Sequence, residues 1–273
     1  MNSLLKVVLL FVIVAGSVMI KNEIIAQKVE EKIEKMDSVK SGSVTCLGLI
    51  DPTCEISNFK VIEDNIEVLS ALSLKVSSVI ALNDYINNAD VAQNFSISLN
   101  HLELGQATKN QLSEAFDGRD IEPINILIDY YAETNSSTAL LDIKSLKVNT
   151  SLFDLSLGSK VKIAEPKTEN PKFFVDHLTL SLKDVRENGK SLLIRDSDLK
   201  EIQNISVSSK AEQHYKDEVL KFAEGKKELI ELSLVNKSSE IEVKDLLGQL
   251  YMMSMFGQLN KIDEILDIKV EAK

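Results

Sequence analysis

From Thr45 onward the chain alternates apolar and polar residues in short runs, and in five places the alternation slips by one residue. The slipped segments are Ile56-Ser57-Asn58-Phe59-Lys60-Val61, Leu99-Asn100-His101-Leu102-Glu103-Leu104, Ile143-Lys144-Ser145-Leu146-Lys147-Val148, Val175-Asp176-His177-Leu178-Thr179-Leu180 and Ile202-Gln203-Asn204-Ile205-Ser206-Val207. Each reads apolar, polar, then Asn, Ser or His, then apolar, polar, apolar. One extra residue in a period-2 pattern is what a β-bulge inserts; it restores the inward face and increases the twist. Several bulged strands side by side curl a sheet around its apolar face. The copies are irregularly spaced, so they are a recurring strand design and not a solenoid of fixed period.

Between these segments, "EPINILIDYYAET" alternates as a strand and turns at Asn135-Ser136-Ser137 into "TALLDIKSLKV". "SLFDLSLGSKVKIAE" predicts two short strands turning at Gly158, and "NIEVLSALSLKVSSVIALNDYINNAD" a strand followed by a helix. Helices are predicted at "ATKNQLSEAF" and at "SSKAEQHYKDEVLKFAEGKKE", where Tyr215, Val219, Phe222 and Ala223 share a side. "VKDLLGQLYMMSMFGQLNKIDEIL" is apolar nearly all round, the pattern of a buried helix, and "LDIKVEA" is a closing strand.

The N-terminus has a different pattern. An uncharged run from Val7 to Ile20 lies between Lys6 and Lys21. Counted from Leu4, with Lys6 reaching to the interface, it attains the roughly 17 residues needed to span hydrocarbon. Ala15-Gly16-Ser17 would suit a cleavable signal peptide. Apolar residues continue past them through Val18, Met19 and Ile20, which favours an uncleaved anchor. Beyond it, Ile25, Val29, Ile33 and Met36 fall at helical spacing, predicting a short amphipathic helix that stops near Ser41-Gly42. The expected organisation is an anchor over residues 1–21, a membrane-proximal helix over 22–42 and an exported domain over 43–273. The expected fold class is α+β: a transmembrane helix, then a bulged, curved antiparallel sheet with helices packed on it.

Export gives meaning to the two cysteines, which flank a turn-forming Asp51-Pro52 in "VTCLGLIDPTCEIS". An oxidising compartment and an even count favour a structural Cys46–Cys54 disulfide over free thiols or a redox pair. The net charge of -11 argues against a nucleic-acid surface, which needs clustered Lys and Arg.

The slipped strands, the single anchor, and "INILIDYYAET" leading into "LLDIKSLKVNTSLFDLSLGSKVKI" resemble bacterial envelope proteins of the AsmA-like and YdgA-like kind. The resemblance implies an anchored protein with a β-rich exported portion carrying many such strands. It implies no catalytic residues.

Chemical signals are sparse. The chain has no phosphate-cradling Gly-x-x-x-x-Gly-Lys, no Gly-x-Ser-x-Gly elbow and no His-Glu-x-x-His. No cofactor or metal is expected. His101 and His177 occupy the slot that is Asn or Ser in other copies of the slipped motif, where a polar side chain can satisfy a loose backbone group at a bulge. Asn135, with Glu133 two residues before it, is the glycan-acceptor candidate among the Asn-x-Ser/Thr matches. Leu247, Leu250, Met252, Met253, Met255 and Phe256 form a methionine-rich stretch suited either to a packed core or to contact with a hydrophobic ligand. The function expected is non-enzymatic: an envelope protein held in the inner membrane by its N-terminal helix, with its bulk in the periplasm and protein or lipid partners. The alternative is a lipid- or hydrophobe-binding module with an apolar groove.

Overall fold

The computed structural model describes residues 3–88, 93–116, 118–134, 138–165, 172–187, 190–207, 209–237, 242–246, 249 and 265–273; of these, the side chains of 3–17, 84–88, 93, 107, 111–113, 115 and 190 lie outside the description. It opens with α1, Ser3–Glu34, a single helix of 32 residues. The predicted anchor and membrane-proximal helix are therefore one continuous element. It ends earlier than the expected stop near Gly42, because Met36 N–H bonds back to Ile33 O and Val39 enters a strand. Among the described residues no helix is long and apolar enough to cross a membrane.

The remainder is α+β, built on an 11-stranded antiparallel sheet. Two short strands, β1 (Val39–Lys40) and β2 (Val44–Leu47), both pair with β3 (Thr53–Glu63). A meander of long strands follows: β4 (Ile66–Val76), β5 (Gln93–Leu104), β6 (Ile124–Thr134), β7 (Thr138–Asn149), β8 (Phe153–Ala164) and β9 (Lys172–Asp184), each antiparallel to the one before it. A small separate hairpin, β10 (Arg186–Glu187) with β11 (Lys190–Ser191), interrupts the sequence. The sheet then resumes with β12 (Leu229–Asn236) and β13 (Leu266–Ala272). Helices α2 (Val79–Asn88) and α3 (Gln106–Ala115) interrupt the meander, and α4 (Asp196–Asn204) and α5 (Lys210–Ala223) precede β12.

Residues paired directly across an antiparallel ladder share a face. The register therefore draws continuous apolar rows across the sheet. One runs Leu74, Leu99, Ile126, Val148, Leu155, Leu182, Ile230; the next runs Val76, Ile97, Ile128, Leu146, Leu157, Leu180, Leu232, Val270. The bulges keep these rows in line. On β6 the inward Ile128 and Tyr130 are two residues apart, while their partners Leu146 and Ile143 on β7 are three apart. Equivalent register shifts occur between Leu99 and Leu102 on β5 and at Val175–His177 on β9. At the matching position on β3, Asn58 takes a positive φ of 47°.

Two sequence expectations change here. Ile202–Val207 is no strand: its first three residues close α4, whose start is set by Asp198 accepting from the Arg195 backbone N–H. Gly158 makes no turn. It lies within the unbroken β8, opposite the β7 bulge, between the pairs Leu157–Leu146 and Ser159–Ile143. A Cβ there would meet the Ile143 and Lys144 carbonyl oxygens at 3.6 and 3.7 Å, ordinary contacts, so the bulge does not require the glycine.

The core cluster of Ala71, Leu102, Ile121, Ile124 and Leu152 lies on the apolar face at the end of the sheet where the β3–β4 turn and α3 sit. Helices close both lateral edges. α1 lies along β1 and β2. On the far edge, Tyr215 of α5 donates to Ile268 O at 3.0 Å and Glu218 accepts from Ala272 N–H at 2.9 Å.

Candidate functional site

The cysteine hairpin, α1 and the start of α2 meet at one corner of the molecule. Cys46 and Cys54 face each other in the β2–β3 register and are disulfide-bonded, with Cα atoms 4.0 Å apart. Gly48 is needed at the tip: its φ is +155°, and a Cβ there would come within 2.7 Å of the Pro52 Cα. The Asp51 carboxylate turns away from the tip and accepts from the Ile80 and Ala81 N–H groups at 2.8 and 3.0 Å, capping α2. Val79 N–H donates to Pro52 O. From the other side, Asn22 Nδ2 donates to Gly48 O at 3.1 Å, and Lys21 Nζ donates to the carbonyls of Leu49 and Ile50.

The tip backbone is thus held on both flanks while its large side chains point out. Leu47, Leu49 and Ile50 are 78%, 76% and 87% exposed. Met19, Ile20 and Ile24 of α1 and Ile80 of α2 are exposed as well. Next to the tip, Ile25 and Val29 of α1 face Val79, Ile80 and Leu82 of α2 across a groove of about 430 Å³, with Lys28, Lys32 and Asn83 also lining it. Lys32 Nζ donates to Asn83 Oδ1 across this groove. The stripe expected on the membrane-proximal helix is therefore shared: Ile33 is buried, Ile25 and Val29 line the groove, and Met36 is exposed.

A second cluster leaves no trace in the alternation of apolar and polar positions. The chain has three arginines, Arg119, Arg186 and Arg195, and all three line one pocket of about 350 Å³. Each is engaged by the protein. Arg119 donates to the carbonyls of Phe116, Leu192 and Leu193. Arg186 pairs with the buried Asp184 at 2.9 Å and donates to Phe222 O. Arg195 holds Asp198, whose carboxyl its side-chain and backbone hydrogen bonds pull down to about 2. The forked guanidinium suits this clasping of carbonyls and carboxylates, for which lysine is a poor substitute. Confinement of every arginine to residues 119–195 of a lysine-rich chain was the available signal.

The histidines are not brought together. His101 is on β5 with its N–H donating to Asn125 Oδ1; His177 is on β9, 3.7 Å from Asp176; His214 is on α5 beside the Tyr215 ring. Among the described residues no group of three or more His, Cys, Asp or Glu could hold a metal ion. Asn135, Leu247, Leu250, Met252, Met253, Met255 and Phe256 lie outside the described residues. Neither a protein-family model nor a curated protein matches the chain.

Proposed function

We propose that this chain is a non-enzymatic, single-pass protein of the bacterial inner membrane, with its α+β domain in the periplasm and a structural or protein-interaction role. The observation that carries the reading is the continuity of α1. The uncharged run from Val7 to Ile20 passes without a break into a segment whose Asn22 and Ile33 are buried beside the domain. An anchor built this way has no linker between bilayer and sheet, so the domain stands at a fixed height and angle. The disulfide fits an oxidising compartment, and the resemblance to AsmA-like and YdgA-like envelope proteins points the same way. Because α1 and α5 cover the sheet's lateral edges, partner contact falls to helix faces and not to strand addition.

The test is fractionation and protease accessibility in a bacterial host. The full chain is expected to stay with membranes through alkaline carbonate, and protease added to spheroplasts is expected to digest everything beyond about residue 21, leaving a short membrane-held fragment. Recovery of the chain in the cytosol with Cys46 and Cys54 reduced would overturn the reading. The apolar groove between α1 and α2 favours the second reading, a module for a hydrophobic ligand. Native mass spectrometry separates the two, since a bound lipid adds a discrete mass.

A further inference from the structure

We propose that the Cys46–Cys54 hairpin tip is a second membrane contact: Leu47, Leu49 and Ile50 enter the boundary between lipid headgroups and acyl chains beside α1, pinning the domain to the bilayer at two points. The inference rests on the anchor reading and adds to it a surface and its occupant, the lipid bilayer.

Height is the first argument. The tip is bonded to Lys21 and Asn22, the first residues after the uncharged run. At about 1.5 Å rise per residue, this sets the tip within one helical turn of the point where α1 leaves hydrocarbon.

Direction is the second. Gly48, the buried Pro52, the inward Asp51 and the disulfide fix the loop backbone, so its apolar side chains have no inward rotation available. Three large side chains held outward, beside the exposed Met19, Ile20 and Ile24, make an apolar patch at one corner of the molecule. The patch abuts the end of the anchor, so lipid already occupies the space that any protein partner would need.

Polarity is the third. Peptide groups near lipid must be satisfied within the protein. Lys21 and Asn22 satisfy the carbonyls of Gly48, Leu49 and Ile50, and the Asp51 carboxylate is taken up by the N-terminus of α2. The carboxylate and the three carbonyls of the tip are thus turned onto the protein, and insertion strips no water from them.

The chain has no tryptophan, so one introduced residue is a clean reporter. Ile50→Trp, Leu9→Trp and Ile66→Trp are made separately in the full chain and reconstituted into phosphatidylethanolamine–phosphatidylglycerol vesicles. Lipids brominated near the headgroups or near the bilayer midplane serve as quenchers. Ile66, exposed at the start of β4, is at the opposite end of the sheet from the tip. Expected are a blue-shifted Ile50→Trp emission quenched most by shallow bromines, a Leu9→Trp emission quenched most by deep ones, and an Ile66→Trp emission that neither quenches. A quenched Leu9→Trp with Ile50→Trp emitting as in water overturns the hairpin contact and leaves the anchor standing. A Leu9→Trp that emits as in water overturns the anchor and, with it, the two-point attachment.

Discussion

Each bulge frees backbone groups that the ladder no longer pairs, and such groups must find partners when buried. In the β5 bulge the His101 N–H donates to Asn125 Oδ1 at 2.9 Å. In the β9 bulge Ser159 Oγ donates to His177 O at 3.0 Å, and Asn236 Nδ2 donates to Val175 O at 3.1 Å. These partners come from neighbouring strands and not from the third residue of the motif, as the sequence pattern suggests. The Asn and His found in that slot have another cause on β3 and β5: Asn58 and His101 have φ of 47° and 50°, a region that β-branched residues avoid. At the same slot on β7, the Ser145 hydroxyl is buried without a hydrogen-bond partner among the described residues. The residue that matters at the β9 bulge is therefore Ser159, which is buried. Ser159→Ala strands a carbonyl and is expected to cost about 1–3 kcal/mol. His177→Asn, at a half-exposed side chain, is expected to stay within about 0.5 kcal/mol. Urea midpoints at unchanged m-value compare the two, and equal effects would return the role to the histidine.

At the scale of single elements, β7 shows why the slip is required. Leu141 and Ile143 face the same side as Leu146 and Val148 only because Lys144 is unpaired between them. Deleting Lys144 removes the extra residue and leaves Ile143 and Leu146 two positions apart, matching Tyr130 and Ile128 as a regular strand with both still inward, whereas deleting Lys147 makes Leu146 and Val148 neighbours and turns Val148 off the core. The expected result in circular dichroism is a cooperative unfolding transition kept by the Lys144 deletion and by Lys144→Ala, and lowered or lost in the Lys147 deletion. A Lys144 deletion that lost its cooperative melt would mean that the bulge is needed for the twist it adds and not only for the register. The slip was readable in the sequence because both halves of each strand carry their own apolar pairs. The same pattern misled at Ile202–Val207, where Asp198 and the Arg195 backbone start a helix and Leu199 and Ile202 serve its period as well as a strand's. Gly158 misled because a glycine reads locally as a turn, while the pairing of β8 with both neighbours carries the strand straight through it. The disulfide was readable from spacing and turn chemistry, but the apolar corner was not. Leu47, Leu49 and Ile50 look like core residues until Lys21 and Asn22, more than twenty residues earlier, fix the loop that exposes them.

For the molecule as a whole, the consequence of this architecture lies in its edges. A long antiparallel sheet ends in unpaired N–H and C=O groups that recruit other strands. α1 covers the edge at β1 and β2, while the outer edge of β13 is closed by two side chains of α5, Tyr215 and the buried Glu218. The hydrogen bond from Lys221, and then that from the Ala272 N–H, hold the Glu218 carboxyl below the usual carboxylate range. A depressed carboxyl contributes stability that is present above its unfolded value, about 4.3, and is lost as pH falls through the folded value. Asp198, lowered to about 2 by Arg195, has the same sign at the start of α4. The edge at β13 should therefore loosen in acid. Glu218→Ala opens it at neutral pH and is expected to give concentration-dependent association of the full chain in detergent, read by size exclusion with light scattering. Glu218→Gln keeps an acceptor for Ala272 but no titrating group. It is expected to remain unassociated at neutral pH and to lose part of the acid sensitivity below about pH 4.3. If Glu218→Ala matched the wild type in both measurements, edge closure would have to come from packing of α5 on β13 and not from its carboxylate.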